Sequence, residues 1–280
     1  MKILVSTRGG YCYGVQRALD IAHQAAKESR GPIHTLGPII HNPGVVSKLA
    51  AAGVSPVESP DDVEGGTVIL RTHGVRPQVI EEISARGLVI VDATCPYVKV
   101  AQEKASSLRE QGYLPIILGE HDHPEVIALV ANAGERAMVV ENAGELEPGK
   151  VKGKKVGVVV QTTQASANLA ELASRLAPLC RQLLIYNTMC NATQKCQEEA
   201  LRLAGKADAV IVIGGRNSAN TTRLAQLCRA VQPRTYHIEG VQELLPEWFE
   251  AVETVAITAG ASTPPEQMEQ AAAWLERYCG

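Results

Sequence analysis

The sequence predicts an α/β fold made of three similar units arranged as a trefoil around a pseudo-threefold axis. Short apolar runs rich in β-branched residues alternate with longer amphipathic stretches, which is typical of strands and helices in alternation. Three short motifs also recur three times along the chain, always in the same order, as expected of an internal repeat.

The predicted strands are short runs of Val, Ile and Leu. They lie at 2–6, 67–71, 88–91, 115–118, 155–160, 182–186, 209–213 and 254–258. The predicted helices have apolar residues at helical spacing and lie at 98–111, 165–176, 194–204 and 265–278. Continuous apolar strands such as 156–160 favour parallel sheets that are covered on both faces.

The first repeated motif is a strand followed by a polar residue, a Thr and a Cys, with a helix after the Cys. Its copies are VDATCP at 91–96, YNTMCN at 186–191 and, more loosely, VSTRGGYC at 5–12. Cys12, Cys95 and Cys190 therefore occupy equivalent positions. A helix N-terminus favours the thiolate form of a cysteine. If the three units surround one axis, their equivalent cysteines would meet there as three thiolates.

The second and third motifs are loops that follow strands. The second begins with a Gly, in LGPIIHNP at 36–43, LGEHDHPE at 118–125 and IGGRNSAN at 213–220. The third is a strand, a Thr and a small or polar turn, in RTHG at 71–74, QTTQ at 161–164 and ITAGAS at 257–262. Ligands bind outside the carboxyl ends of strands in open α/β sheets, so these loops are predicted to surround the thiolates.

The repeat also predicts the domain organisation. The first α/β unit spans 13–95 and the second spans 96–190. The third joins 191–280 to 1–12, because the strand before Cys12 would supply the Cys-bearing strand that the third unit otherwise lacks.

Composition narrows the class of protein. The net charge is −3 and aromatic residues make up 4% of the chain, which argues against nucleic-acid partners. No apolar run approaches the roughly 20 residues that span a bilayer, so no membrane association is expected. The first residues resemble a strand and not a signal peptide, so the expected location is the cytoplasm.

Seven cysteines with wide spacing indicate ligands, nucleophiles or core residues more than disulfides. Cys180, Cys196, Cys228 and Cys279 fall within or beside helical patterns and are predicted to be fillers. Soft thiolates select iron–sulfur clusters, Zn or Cu(I). Three ligands without a fourth describe either a catalytic metal or a four-iron cluster with one open iron.

The loops offer polar partners for a substrate. Their imidazoles, hydroxyls and amides, together with helix N-termini, suit an anion such as a phosphate. The candidates are His41, His73, His123, Thr162, Ser218, Asn220 and Ser262. Glu125 has two interpretations that local sequence leaves open: an acid stabilised by the helix dipole, or a general acid.

Taken together, the motifs resemble the 4-hydroxy-3-methylbut-2-enyl diphosphate reductase (IspH/LytB) family. The matching segments are GYCYGV at 10–15, IHN at 40–42, THGV at 72–75, DATCP at 92–96, HPEV at 123–126, QTT at 161–163, TMCNAT at 188–193, NSAN at 217–220 and TAGAS at 258–262. The resemblance covers the chain from its first strand to its last helix.

The resemblance implies an iron–sulfur oxidoreductase that carries out the last step of the methylerythritol phosphate route of isoprenoid biosynthesis. The cofactor would be one [4Fe-4S] cluster on Cys12, Cys95 and Cys190, with one open iron. Glu125, Thr162 and His123 would be catalytic, with Glu125 delivering protons. Seven residues would bind the substrate. His41, His73, Ser218, Asn220 and Ser262 would hold the diphosphate, while Thr162 would orient the substrate hydroxyl and His123 would complete the network. The electron donor would be a ferredoxin or a flavodoxin.

Two departures from the family pattern stand out. Ser218-Ala219-Asn220 replaces the usual Ser-Ser-Asn, which removes one hydroxyl. Cys196 stands where the family commonly has an Arg, and as a spare thiol it lies roughly 9 Å along the helix from Cys190. Two other functions remain open at this point. They are an open-iron hydratase or dehydratase without net reduction and a Zn-binding structural protein.

Overall fold

The computed structural model describes residues 1–29 and 31–279, without the side chain of Cys279. The helices in this part of the chain are α1 (Tyr13–Glu28), α2 (Pro43–Ala51), α3 (Pro77–Ala85), α4 (Pro96–Glu110), α5 (Pro124–Ala133), α6 (Pro148–Val151), α7 (Ser166–Leu176), α8 (Asn191–Ala204), α9 (Ala219–Val231) and α10 (Pro265–Cys279). Several of them begin with a Pro, whose fixed φ and missing N–H suit the first helical position.

The strands form three parallel sheets, which confirms the predicted α/β class. They are β1 (Lys2–Val5), β2 (Ile33–Leu36), β3 (Val54–Val57), β4 (Thr67–Leu70), β5 (Val89–Asp92), β6 (Leu114–Leu118), β7 (Met138–Val140), β8 (Lys155–Val160), β9 (Gln182–Tyr186), β10 (Ala209–Ile213), β11 (Thr235–Ile238) and β12 (Thr254–Ala259).

The three sheets share one topology. Their orders are β3-β2-β4-β5, β7-β6-β8-β9 and β11-β10-β12-β1. In the last sheet β1 pairs in parallel with β12, in a register that runs from Lys2 opposite Thr254 to Val5 opposite Ile257. The N-terminal strand therefore completes the sheet of the chain's C-terminal part, as the repeat predicted.

Internal contacts divide the chain into two compact units, which differ from the three predicted repeat units and are called the first and second unit from here on. The first unit comprises Met1–Gln16, Ile40–Val45 and Asn191–Gly280, and the second comprises Arg17–Ile39 and Val46–Cys190. The division into three units at 13–95, 96–190 and 191–280 with 1–12 stays a prediction, as does their trefoil arrangement.

The sheet of the first unit is covered on both faces. Alternate residues of β10 and β12 enter two different clusters: Ile211 and Ile257 pack with α10 residues such as Leu275. On the other face Val212 packs with Cys196 of α8 and other apolar residues. Period-two alternation sends successive side chains to opposite faces, so each strand contributes to both cores.

In the second unit the β8 strand has the same double burial. Val158 and Val160 pack on one face with Leu172 of α7, while Val159 packs on the other face with Leu108 of α4. The continuous apolar run at 156–160 therefore behaves as predicted for a parallel sheet with two covered faces.

Four short strands were absent from the sequence prediction: β2, β3, β7 and β11. Polar residues or a Pro interrupt β2, β3 and β11, as in Ile-His-Thr-Leu and Val-Ser-Pro-Val, and β7 has only three residues. Their pairing in the sheets, and not their own apolar pattern, makes them strands. Among the described residues, no helix is long and apolar enough to cross a membrane.

Candidate functional site

The three cysteines of the repeat have the same local geometry. Each lies directly before a helix: Cys12 before α1, Cys95 before α4 and Cys190 before α8. In each case the backbone N–H of the Cys donates to a carbonyl two residues past the third strand of its own sheet. The bonds are Cys12 to Ala261 (3.1 Å), Cys95 to Thr72 (3.0 Å) and Cys190 to Thr162 (2.9 Å).

These bonds correct the alignment of the third motif. The copies were aligned on Thr72, Thr162 and Thr258, but Thr258 lies inside β12 and is 1% exposed. The residue equivalent to Thr72 and Thr162 is Ala261. The cause is the length of β12, which continues past Thr258 to Ala259, so the Thr is a strand residue and not the start of the loop.

The glycine loops of the second motif are anchored in the same way in all three sheets. The N–H of each first Gly donates to the carbonyl that ends the edge strand named first in each sheet order, which is β3, β7 or β11. These bonds are Gly37 to Val57 (2.7 Å), Gly119 to Val140 (2.9 Å) and Gly214 to Ile238 (2.9 Å). A Cβ on Gly119 would lie 2.6 Å from Val126, so the close approach to α5 requires glycine there.

Each glycine loop ends in a side chain that caps the following helix. Asn42 accepts a hydrogen bond from the N–H of Val45 (3.1 Å), and His123 accepts one from the N–H of Glu125 through Nδ1 (3.2 Å). Ser218 accepts a longer bond from the N–H of Thr221 (3.4 Å). Sequence reasoning missed the role of Asn42, although an Asn directly before a Pro is a known helix-start signal.

Two hydrogen bonds join Glu125 and Thr162 in the second unit. One carboxylate oxygen of Glu125 accepts from the backbone N–H of Thr162 at 2.7 Å, and the other accepts from Thr162 Oγ1 at 2.8 Å. The carbonyl of Thr162 receives the N–H of Cys190. Thr162 therefore connects a carboxylate to the backbone of a predicted cluster ligand.

Burial changes the acidity of Glu125. The residue is 1% exposed, and this burial raises the pKa of its carboxyl from 4.5 to about 7. The two hydrogen bonds from Thr162 act in the opposite direction, and the nearby charge of Glu120 adds to the increase. A carboxyl with this pKa exists in both protonation states at neutral pH, which is what a general acid needs.

His73 and His123 lie beside each other in the second unit. Their rings are 5.3 Å apart between centroids and meet edge to face at 84°. Because Nδ1 of His123 accepts the N–H of Glu125, a neutral ring carries its proton on Nε2. The second unit thus places two imidazoles, a threonine and a titratable carboxyl in neighbouring loops.

The first unit holds the remaining predicted residues. The Nδ2 of Asn42 donates to the carbonyl of Ser262 at 3.1 Å, and Ser262 Oγ lies 3.5 Å from the carbonyl of His41. These contacts bring the 41–42 segment against the third-motif loop. Asn220 lines a cavity of about 220 Å³ together with Cys12 and Cys196.

The other described cysteines have the character of fillers. Cys196 and Cys228 are buried in one core cluster, where burial raises the pKa of their thiols to about 11 and about 12. Cys180 packs beside another core cluster, and burial raises the pKa of its thiol as well. The side chain of Cys279 lies outside the described part of the chain. Cys196 is buried among apolar residues of α8, α9 and the sheet, in keeping with a filler.

The profile of the "LytB protein" family matches residues 3–276. The chain belongs to the LytB family. Among curated members, the 4-hydroxy-3-methylbut-2-enyl diphosphate reductase of Pelobacter propionicus is 46% identical over 264 residues and covers 94% of each chain. The enzyme of the same name from Aquifex aeolicus is 41% identical over 280 residues, covering 99% of this chain and 96% of the relative.

Solved structures agree with this family membership. A structure of (E)-4-hydroxy-3-methyl-but-2-enyl diphosphate reductase, described as the terminal enzyme of the non-mevalonate pathway, is 40% identical with a TM-score of 0.72 and 99% coverage of both chains. The E-1-hydroxy-2-methyl-but-2-enyl-4-diphosphate reductase of Plasmodium falciparum is 27% identical with a TM-score of 0.91, covering 99% of this chain and 88% of that one. The LytB fold is therefore shared over nearly the whole chain.

Proposed function

We propose that this LytB-family chain reductively dehydroxylates 4-hydroxy-3-methylbut-2-enyl diphosphate. Two electrons and two protons enter, the hydroxyl leaves as water, and isopentenyl and dimethylallyl diphosphates form. The relatives that match nearly the whole chain are named as reductases of this substrate, which favours reduction over a hydratase or dehydratase reaction.

One observation carries the chemical part of the proposal. Thr162 is hydrogen-bonded through its N–H and hydroxyl to Glu125, and through its carbonyl to the N–H of Cys190. A carboxyl that titrates near neutral pH is thus one residue away from a thiol at a repeat position. Proton supply next to a redox centre is what the loss of a hydroxyl as water requires.

The residues present fit an iron–sulfur cluster. Cys12, Cys95 and Cys190 share one backbone geometry, and all three precede helix N-termini, which stabilise thiolates. We assign them as the ligands of one [4Fe-4S] cluster. Electrons and a Lewis-acidic iron with an open position are what the cluster would supply when bound.

Glu125 would donate the proton that turns the substrate hydroxyl into water. Its raised pKa keeps a protonated fraction available at neutral pH, and Thr162 fixes the orientation of the carboxyl through two hydrogen bonds. The Thr162 hydroxyl would in turn orient the substrate hydroxyl. General acid catalysis of this kind contributes typically about 10²- to 10⁴-fold in rate.

The anionic end of the substrate would be held by imidazoles, hydroxyls and an amide. His123 presents a protonated Nε2 when its Nδ1 accepts the N–H of Glu125, so it can donate to a phosphate oxygen. The substrate-binding residues we assign are His41, His73, Ser218, Asn220 and Ser262 for the diphosphate, Thr162 for the substrate hydroxyl, and His123 between the two. A ferredoxin or a flavodoxin would deliver the electrons, and the cytoplasm is the location we assign.

A matched pair of cysteine variants tests the cluster assignment. Anaerobically purified wild-type protein should contain iron and acid-labile sulfide, and Cys95→Ser should lose both. Cys196→Ser should keep both, because Cys196 lies off the repeat positions and is buried in an apolar core cluster. The measurement is iron and sulfide per chain together with the visible absorption of the cluster.

Two outcomes would overturn the assignment. Stoichiometric zinc without iron or sulfide in the wild-type protein would support a Zn-binding structural protein instead. Loss of iron from Cys196→Ser with retention in Cys95→Ser would mean that the repeat does not identify the ligands.

A further inference from the structure

The loop that carries Cys12 is longer than the loops that carry Cys95 and Cys190. Each loop begins with a polar side chain that accepts the N–H two residues ahead. These bonds are Ser6 from Arg8 (3.1 Å), Asp92 from Thr94 (2.9 Å) and Asn187 from Met189 (3.2 Å). From this shared start, Cys95 and Cys190 each follow after three residues (95 − 92 = 3 and 190 − 187 = 3). Cys12 follows only after six residues (12 − 6 = 6).

The three additional residues include Gly9 and Gly10, which give this segment (6–12, the Cys12 loop) more backbone freedom. Gly10 has a φ of +92°, and a Cβ on Gly9 would lie 2.8 Å from the backbone N of Ala259. Both positions therefore require glycine, and glycine raises the entropy that must be lost when the loop is ordered.

The shorter loops are held close to their cysteines. In the first of them, Arg17 donates to the carbonyls of Thr94 (3.2 Å) and Asp92 (3.4 Å), and Lys99 pairs with the Asp92 carboxylate at 2.5 Å. In the second, Thr188 Oγ1 accepts a hydrogen bond from the N–H of Val160 at 2.9 Å and donates one to the carbonyl of Val160.

The Cys12 loop is held by a side chain from a distant part of the sequence. Glu199 of α8 accepts hydrogen bonds from Ser6 Oγ (2.5 Å), Thr7 Oγ1 (2.9 Å) and the N–H of Arg8 (2.9 Å). Its side chain is only 13% exposed, and Arg202 lies 3.6 Å away. The Ser6 hydroxyl that donates to Glu199 also accepts the N–H of Gly9 at 2.9 Å, so the contact extends into the glycine pair.

We propose that Glu199 is a positioning residue for Cys12. It fixes the start of the long loop, while the bond from the N–H of Cys12 to Ala261 fixes its end. The Cys12 sulfur is thereby presented in one place although two glycines precede it. Glu199 lies on α8, the helix that begins directly after Cys190. It follows by three residues Cys196, which stands where the family commonly has an Arg. The inference rests on the proposed function, because it concerns how a cluster ligand is held.

Hydrogen–deuterium exchange of the whole metal-free chain tests the positioning directly. Glu199→Ala should make the amides of the Cys12 loop exchange about tenfold faster, with the peptides around Cys95 and Cys190 unchanged. Glu198→Ala is the matched control, since Glu198 is exposed on the same helix and should leave the loop as in the wild type. Glu199→Gln keeps an acceptor oxygen and should fall between the two.

Release of iron to a chelator, measured anaerobically on the loaded protein, gives the functional consequence. Glu199→Ala should lose iron about tenfold faster than the wild type, as is usual when an outer partner of a metal site is removed. Glu198→Ala should lose it at the wild-type rate.

Three results would overturn the inference while leaving the proposed function intact. They are wild-type exchange in Glu199→Ala, faster exchange spread over the whole first unit, and iron release at the wild-type rate despite a looser loop. A wild-type protein that binds no iron would instead contradict the proposed function itself, and with it the inference.

Discussion

Two glutamates, Glu125 and Glu199, accept hydrogen bonds from loops next to predicted cluster ligands, yet their pKa values shift in opposite directions. Burial raises the pKa of Glu125 to about 7, because the two bonds from Thr162 do not compensate for the loss of water. Burial also acts to raise the pKa of Glu199, but hydrogen bonds from Ser6, Thr7 and Arg8 outweigh it and lower the pKa. The balance between desolvation and donors decides whether a carboxyl exchanges protons or stays ionised.

The difference separates two roles that the residue type alone does not distinguish. Glu125 is suited to give up a proton at neutral pH, and Glu199 is suited to hold a loop as an anion at neutral pH. In our proposal the same residue type therefore serves the chemistry in one unit and the placement of a thiol in the other.

The largest expected effect comes from Glu125→Gln. The amide cannot donate an acidic proton, so kcat should fall by about 10²- to 10⁴-fold while iron per chain stays at the wild-type value. Glu199→Gln should retain the wild-type kcat per bound iron. Steady-state rates normalised to iron content give the comparison, and a Glu125→Gln enzyme with a near-normal rate would remove Glu125 from the mechanism.

A smaller effect should follow from Thr162→Val, which removes the hydroxyl donor but keeps the backbone N–H. The hydroxyl lowers the pKa of Glu125, so its loss should move that pKa above 7 and shift the alkaline limb of the rate–pH profile upward. The rate should fall by about tenfold as the carboxyl loses an orienting bond.

Thr163→Val is the control for this substitution, because Thr163 Oγ1 accepts a hydrogen bond from Gln161 and is not among the causes of the shifted pKa of Glu125. Its alkaline limb should stay where it is in the wild type. Coincident profiles for the wild type and Thr162→Val would show that Thr162 does not set the acidity of Glu125.

A different kind of effect concerns stability, and here the two glutamates should differ in sign. Because the folded pKa of Glu125 lies above its ordinary value of 4.5, the protonated carboxyl stabilises the fold at low pH, and this contribution is lost as pH rises toward 7. Relative to Glu125→Gln, the wild type should lose roughly 3 kcal/mol of unfolding free energy across that interval. For Glu199, whose pKa is lowered, the advantage over Glu199→Gln should instead shrink as the solution becomes acidic.

Urea unfolding at pH 5 and pH 8 measures the difference for Glu125, and unfolding at pH 3 and pH 6 measures the one for Glu199, since contributions from other groups cancel between each variant and the wild type. A pH-independent difference for Glu125→Gln would show that its carboxyl is not perturbed by burial.

The sequence predicted the parts of the site that are local. Position in the repeat distinguished three cysteines, Cys12, Cys95 and Cys190, from the others. In the structure the backbone N–H of each donates to the equivalent carbonyl, that of Ala261, Thr72 or Thr162. Strand, turn and helix start lie within a few residues of each other, so short motifs contain the signal.

What the sequence did not predict depends on contacts between distant residues. Glu199 meets Ser6 across a separation of 193 positions, and nothing near either residue indicates the other. The acidity of Glu125 depends on burial and on Thr162, 37 positions away. The offset of Thr258 from the loop arose because strand length is set by pairing with neighbours, which local pattern does not show.

The central claim is that this chain removes a hydroxyl with electrons and with a proton from Glu125. The most direct test is turnover of 4-hydroxy-3-methylbut-2-enyl diphosphate by anaerobically purified, iron-loaded protein with and without a chemical reductant. We expect isopentenyl and dimethylallyl diphosphates only when the reductant is present. Conversion of the substrate without any reductant, or no conversion by iron-loaded protein with it, would contradict the claim.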